Sequence, residues 1–361
     1  MHESIVERFT GLMRNRVQLC NLVLGLVVIS TCCALSCGAQ QCNGDTDYNS
    51  IRSEARPYRF HFVMYEAEAL TSLVADRYRS QDSNDFERLL RNQIESVLRE
   101  NSIAVFPPLR FSIEEPPHLL VISPRDRIEY ADRMLLSQQL SLDEMETIEA
   151  KVDMYNVSSL VVGLGGFGAT YPPIVTGDAN MTFIIDAVVE EWLHQYLAFK
   201  PLGSRYLLDS IGITQHPDVI ILNESVAGMV SEEIGAVVYT RYYNTGDKEV
   251  VEKSEREFDF DSEMRATRKQ VDRYLSMGEI VEAEQYMEAR RQVFVAHGYN
   301  IRKLNQAYFA FHGIYGDDPA SVSPIYGELE QLRAKVPSLK DFLELTSSMT
   351  KYSDLRDALA E

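Results

Sequence analysis

Met181-Thr182-Phe183-Ile184-Ile185-Asp186-Ala187-Val188-Val189-Glu190-Glu191-Trp192-Leu193-His194-Gln195-Tyr196-Leu197-Ala198-Phe199 is apolar nearly all the way round and contains neither glycine nor proline. That pattern predicts a helix buried on every side rather than one lying on a surface. Its ionisable groups are not scattered. Asp186, Glu190 and His194 recur at i, i+4 and i+8 and share one stripe, with Glu191 beside it. A charged group directed into protein and left unpaired costs on the order of several kcal/mol. The stripe therefore calls for counter-charges or for a cation, and a metal ion supplies that charge.

Asn223-Glu224-Ser225 marks the next polar interruption of the same kind, at the start of a second predicted helix from about Glu224 to Tyr243. Ala227, Gly228 and Ser231 are small enough to let its first turns approach another helix closely. Glu224 can then reach the stripe.

On these residues the chain resembles the gluzincin metallopeptidases, over roughly Val161 to Leu345. It looks closest to bacterial membrane or secreted proteins with a His-Glu-Trp-x-His-x-Tyr-Leu helix and an Asn-Glu-(Ser/Thr) helix. In that group a His-Glu-x-x-His helix provides two zinc ligands and a general base, and a Glu on a following helix provides the third ligand. The resemblance implies that His194 is the second ligand of the motif, Glu191 the catalytic base and Glu224 the downstream ligand. Position 190 departs from the pattern, with Glu where the first His belongs. A carboxylate also binds zinc, so Glu190, His194 and Glu224 still form a three-ligand set with room for water. Two carboxylates weaken the Lewis acidity of the ion and suit manganese or iron as alternatives to zinc. A Tyr or His from a late helix of the group stabilises the oxyanion. Tyr308, His312 and Tyr315, which recur with Asn305 at helical spacing within Ile301 to Tyr315, are the candidates here.

The implied function is hydrolysis of peptide bonds in a peptide or protein substrate. The alternative is a catalytically inactive homologue that binds a peptide, a cell-envelope component or a partner protein, which Glu190 favours. A third reading is structural, with Glu190, Glu191, His194 and Glu224 paired to arginines such as Arg205 or Arg241.

With 361 residues, 45% hydrophobic and 25% charged, the chain has the balance of a folded protein. A net charge of -19 argues against nucleic acid as a partner, since phosphate binding needs a basic surface. Val17 to Ala39 carries no charge, is long enough to cross a bilayer and follows Arg8, Arg14 and Arg16. The expectation is a single-pass cell-membrane protein with its body outside the cytoplasm; a lipoprotein at Cys37 or a secreted form after cleavage is the alternative. All five cysteines, Cys20, Cys32, Cys33, Cys37 and Cys42, lie in or beside that segment, so a metal in the body must use His and carboxylates.

The predicted organisation is a cytoplasmic N-terminus (1–16), a transmembrane anchor or signal peptide (17–39) and a linker (40–56). A mixed α/β region (57–158), a metallopeptidase-like core (159–257) and a C-terminal helical subdomain (258–361) follow. The fold class is α+β, mostly helical, with a gluzincin-like core. Within it, Tyr58 to Val63 alternates at period two ahead of a helix from Glu66 to Tyr78. Phe86 to Glu100 is helical, Leu119 to Ile122 a short buried strand, and Ser141 caps a helix reaching about Met154. Ser159 to Leu164 reads as a strand, followed by a glycine-rich loop, Gly165 to Pro173. That loop lacks the Gly-Lys-Ser/Thr of a phosphate loop and fits the wall of the site, along which a peptide can pair. Glu263 to Met277 and Glu279 to His297 form an antiparallel helix pair around Gly278, and Phe342 to Ala360 closes the chain as an amphipathic helix or a frayed tail.

Overall fold

The computed structural model describes residues 47–62, 64–66, 85–210, 214, 216–244 and 258–360. The expected N-terminus (1–16) and membrane segment (17–39) lie outside these residues, as do the first part of the linker, most of the helix expected over Glu66–Tyr78, and residues 245–257. Among the described residues no helix is long and apolar enough to cross a membrane.

The fold is α+β and mostly helical. In chain order it contains α1 (Tyr48–Ala55), α2 (Asp85–Glu100), β1 (Ser112–Ile113), β2 (His118–Pro124), β3 (Asp132–Leu136), α3 (Leu142–Asp153), β4 (Val157–Gly163), β5 (Gly166–Phe167) and β6 (Ile174–Val175). Helices follow: α4 (Met181–Ala198), α5 (Pro201–Ser210), α6 (Pro217–Tyr242), α7 (Phe260–Ser276), α8 (Ile280–Ala296), α9 (Gln306–His312), α10 (Ile325–Lys335), α11 (Leu339–Ser347) and α12 (Tyr352–Ala360).

Helix α4 is buried as its composition demands. Ile185, Val189, Trp192, Leu193 and Leu197 are sealed from solvent, and the Trp192 indole donates to the Pro107 carbonyl at 2.9 Å. Asn180 caps its first turn by accepting from the Phe183 amide. Its main partner is α6, which runs the opposite way: His194 meets Glu224 at one end of the seam, and Asp186 lies against Gly235 at the other. A Cβ at Gly235 would fall 1.8 Å from Asp186 Oδ1, so glycine there leaves the space that the Asp186 carboxylate occupies. Leu90 and Ile94 of α2, Ile325 and Leu329 of α10, Phe342 of α11 and Leu355 of α12 complete this core. The α7–α8 pair turns at Gly278 (φ +77) and has its own core of Met264, Val271, Met287 and Phe294, closed by Phe309 of α9.

Two three-stranded sheets are present among the described residues, ordered β3-β2-β4 and β1-β6-β5. In the first, β2 pairs antiparallel on both sides, with His118 opposite Leu136 and Gly163. The unbroken run Leu119 to Ile122 is explained by cover on both faces. Leu120 and Ile122 meet α1 and α3, while Leu119 and Val121 meet Ala307 and Phe311 of α9. In the second sheet β1 is parallel to β6, and β5 is antiparallel to β6 and forms the edge.

Several boundaries differ from the sequence expectation. The linker ends in α1, where Asp47 caps the helix and Ile51 and Ala55 are buried. The alternation from Tyr58 yields only a bridge between Arg59 and Leu136 and a helical residue at Phe62. Helix α6 begins at Pro217, a favoured first helical residue, so Glu224 lies inside the helix rather than at its start. Between Ile301 and Tyr315 only Gln306–His312 is helical, because Asn305 serves as its N-cap and accepts from the Tyr308 amide. The tail divides into α11 and α12.

The sheet and the C-terminal helices are joined by a buried charge cluster. Glu149, on α3, accepts the Val161 amide at 2.6 Å and a two-pronged contact from Arg302 at 2.5 and 2.9 Å, with Lys303 at 3.5 Å. The Glu149 side chain is 4% exposed, so loss of its partner strands a carboxylate in the interior. Arg302→Met is expected to lower unfolding stability by about 3 kcal/mol. Urea denaturation checks this, with Glu149→Gln/Arg302→Met expected to recover part of the loss.

Candidate metal centre

Glu190, His194 and Glu224 converge where α4 crosses α6. One donor atom from each lies within 4.8 Å of the other two, and together they can hold a metal ion. Helix periodicity places Glu190 one turn before His194, and the antiparallel α6 brings Glu224 opposite both. Asp186, on the same stripe, lies apart against Gly235.

His194 is oriented by its neighbours on both sides. Its Nδ1 donates to Asn223 Oδ1 at 3.0 Å, which turns Nε2 toward Glu224 Oε2, 3.4 Å away. The Tyr206 ring, from α5, stacks on the imidazole with centroids 5.9 Å apart and planes 21° apart. Asn223 is 1% exposed, and its Nδ2 is buried without a hydrogen-bond partner. The donor set, one imidazole nitrogen and two carboxylates, matches a first-row divalent ion.

Glu191 lies beside Glu190 on α4 and packs under the edge strand β5. A Cβ on Gly166 would lie 2.2 Å from Glu191 Oε1, and one on Gly168 2.5 Å from Oε2. The glycines of the loop leave the room that this carboxylate occupies. Gln195, buried on α4, holds the same loop by donating to the carbonyls of Gly168 at 3.1 Å and Thr170 at 2.7 Å.

The carboxylates are not equivalent. Burial, reinforced by neighbouring carboxylates, pushes Glu190 up to about 7 and Glu191 up to about 8. Burial also works to raise Glu224, but the His194 charge, hydrogen bonds from His194 and Tyr206, and the Arg133 charge hold it below the usual range. Burial works against the His194 cation as well; Glu224, Glu191 and Glu190 outweigh it and raise His194 to about 10. In the metal-free protein His194 and Glu224 form an ion pair, and a metal ion must displace the Nε2 proton.

The late-helix candidates separate. Tyr315 packs edge-on to Phe311, and burial, with the charges of Glu224 and Glu190, raises its phenol well above the ordinary value. Tyr308 stacks on His312 at 4.1 Å, and His312 Nδ1 meets Asp318 Oδ2 at 2.8 Å. The arginine beside Glu224 is Arg133 of β3, not Arg205 or Arg241: Arg205 is exposed, and Arg241 pairs with Glu100 at 2.7 and 2.8 Å. Tyr206, Arg133, Tyr130 and Gln195 carried no sequence signal for this site. Asn223 did, through its place in Asn-Glu-Ser, although the motif does not state what its side chain does.

No family model, curated protein or solved structure matches the chain. The geometry of the centre makes its own prediction about pH. Glu191 rises from 4.5 to about 8, Glu190 from 4.5 to about 7 and His194 from 6.5 to about 10. Across those windows the native state binds more protons than the unfolded chain, so each group's contribution to stability falls as pH rises. Thermal unfolding of metal-free protein is expected at a higher temperature near about pH 5 than near about pH 8, and Glu191→Gln is expected to flatten the difference.

Proposed function

We propose that this chain is a gluzincin-like, metal-dependent peptide hydrolase whose body works outside the cytoplasm on a membrane tether at Val17 to Ala39. The observation that carries this reading is the convergence of Glu190, His194 and Glu224 on one point, with Glu191 one residue away on the same helix. Zinc is the proposed ion; the two carboxylates make manganese or iron the alternatives. A bound divalent ion supplies Lewis acidity toward a peptide carbonyl and makes water a better nucleophile at neutral pH.

The side chains then have distinct tasks. Glu191, raised to about 8, is matched to proton transfer near neutrality and takes the proton from attacking water before passing it to the leaving amine. Tyr315, whose phenol is raised by the charges of Glu224 and Glu190, is assigned the hydrogen bond to the developing oxyanion. In this assignment the contact with Asp318 engages His312, and Tyr308 packs beside it.

Glu190 also favours a second reading, a non-catalytic relative that binds a peptide or an envelope component. A second carboxylate lowers the Lewis acidity of any ion in the site. Metal content and turnover of a peptide library by the full chain distinguish the two. Stoichiometric metal with cleavage that falls about 100-fold or more in Glu191→Gln supports the hydrolase. Metal without cleavage, or cleavage unchanged in Glu191→Gln, overturns it; cleavage gained in Glu190→His would establish the non-catalytic relative.

A further inference from the structure

We propose that Gln195 is a positioning residue for Glu191, its amide fixing the glycine segment 166–168 against that carboxylate. The inference rests on the hydrolase reading, in which Glu191 is the proton-transfer group. Gln195 stands one turn after Glu191 on α4, so the two side chains share a face of the helix. Glu191 meets the segment at Gly166 and Gly168, where a Cβ on either glycine would collide with the carboxylate. Gln195 grips the same segment one turn further on, its Nε2 donating to the carbonyls of Gly168 at 3.1 Å and Thr170 at 2.7 Å. One helix thus carries the carboxylate and also fixes the backbone laid over it.

Gln195 is 5% exposed, and its Oε1 is buried with no hydrogen-bond partner among the described residues. An unpaired buried acceptor costs stability that an apolar side chain of the same size would not, so what the glutamine contributes is its two donated hydrogen bonds. The strand it holds needs them. Among the described strands β5 pairs with β6 alone, so it has no second neighbour to set its height above α4. Phe167 points to the face opposite Gly166 and Gly168 and meets Phe60 and Phe62 edge-on, with centroids 6.1 and 6.2 Å apart. Those rings back the strand without direction, whereas the Gln195 bonds are directional and fix where the two glycines sit over Glu191. Past Thr170 the chain is tied a second time, the Tyr171 amide donating to Glu66 Oε1 at 3.0 Å, so the part that Gln195 governs is the part against Glu191.

Gln195→Met tests the inference, since it keeps the length of the side chain and removes both donors; Gln195→Asn, which keeps the amide but shortens its reach, carries the same test should the first variant not fold. Two quantities are measured on the full chain: amide hydrogen exchange, and kcat and KM on a peptide that the wild type cleaves, with metal content as a control. Exchange in segment 166–170 is expected to quicken about 10-fold or more while α8 keeps its wild-type rates. With metal content unchanged, kcat is expected to fall about 10- to 100-fold and KM to stay within about twofold. A kcat within about twofold of wild type, or unchanged exchange in the segment, would sink the inference and leave the hydrolase reading standing. Loss of kcat together with metal content and α8 protection would reduce Gln195 to a core residue and overturn the inference equally. Should the wild type cleave no peptide, or should Glu191→Gln cleave as well as wild type, the hydrolase reading itself fails and this one with it.

Discussion

The antiparallel seam between α4 and α6 places Asp186, Glu190, His194 and Glu224 among the apolar side chains packed between the two helices. Gly235 leaves the space in which the Asp186 carboxylate lies. Bringing the helices together removes water from carboxylates and an imidazole, and His194 and Arg133 answer part of the negative charge locally. A cation relieves the excess carboxylate repulsion that hydrophobic packing imposes. The same packing energy that holds the core thus maintains the electrostatic demand of the site.

Glu190 gives that demand its particular character. With His at this position the site would carry one fewer negative charge. With Glu, the repulsion between neighbouring carboxylates is resolved by sorting: Glu224 stays ionised beside His194, Tyr206 and Arg133, whereas Glu190 and Glu191 hold protons more tightly. Carboxylates in one centre therefore have separate proton affinities, low at Glu224 and high at Glu190 and Glu191. The separation arises from surroundings rather than residue type, since all three are glutamates.

The sheets act as supports for this centre. Gly166 of β5 and Gly168 just after it lie over Glu191, and Gln195 clamps the loop that follows. β2 and β3 bring Tyr130 and Arg133 to the far side of Glu224. Because β2 is covered on one face by α1 and α3 and on the other by α9, its position is strongly constrained, and the groups at its end inherit that constraint.

Much of this was legible in the sequence where the determining pattern is local. The buried character of α4, the stripe of Asp186, Glu190 and His194, the Ser141 cap and the turn at Gly278 follow from periodicity, capping chemistry and the freedom of glycine. Glu224 could be nominated because small residues follow it on the same helix. Where α9 starts was harder to read, since Asn305 looks like a member of a helical stripe until its cap hydrogen bond to Tyr308 is seen. Tyr206 and Arg133 had no local mark at all: each meets Glu224 through the packing of a different element, and sequence spacing carries no information about such contacts. The sequence by itself determined which side chains lie on the α4 stripe, because a helix converts spacing into a face. Only the tertiary structure decided that Glu190 rather than Asp186 joins His194 and Glu224, because the crossing of α4 and α6 selects which turn of the stripe lies opposite the third ligand.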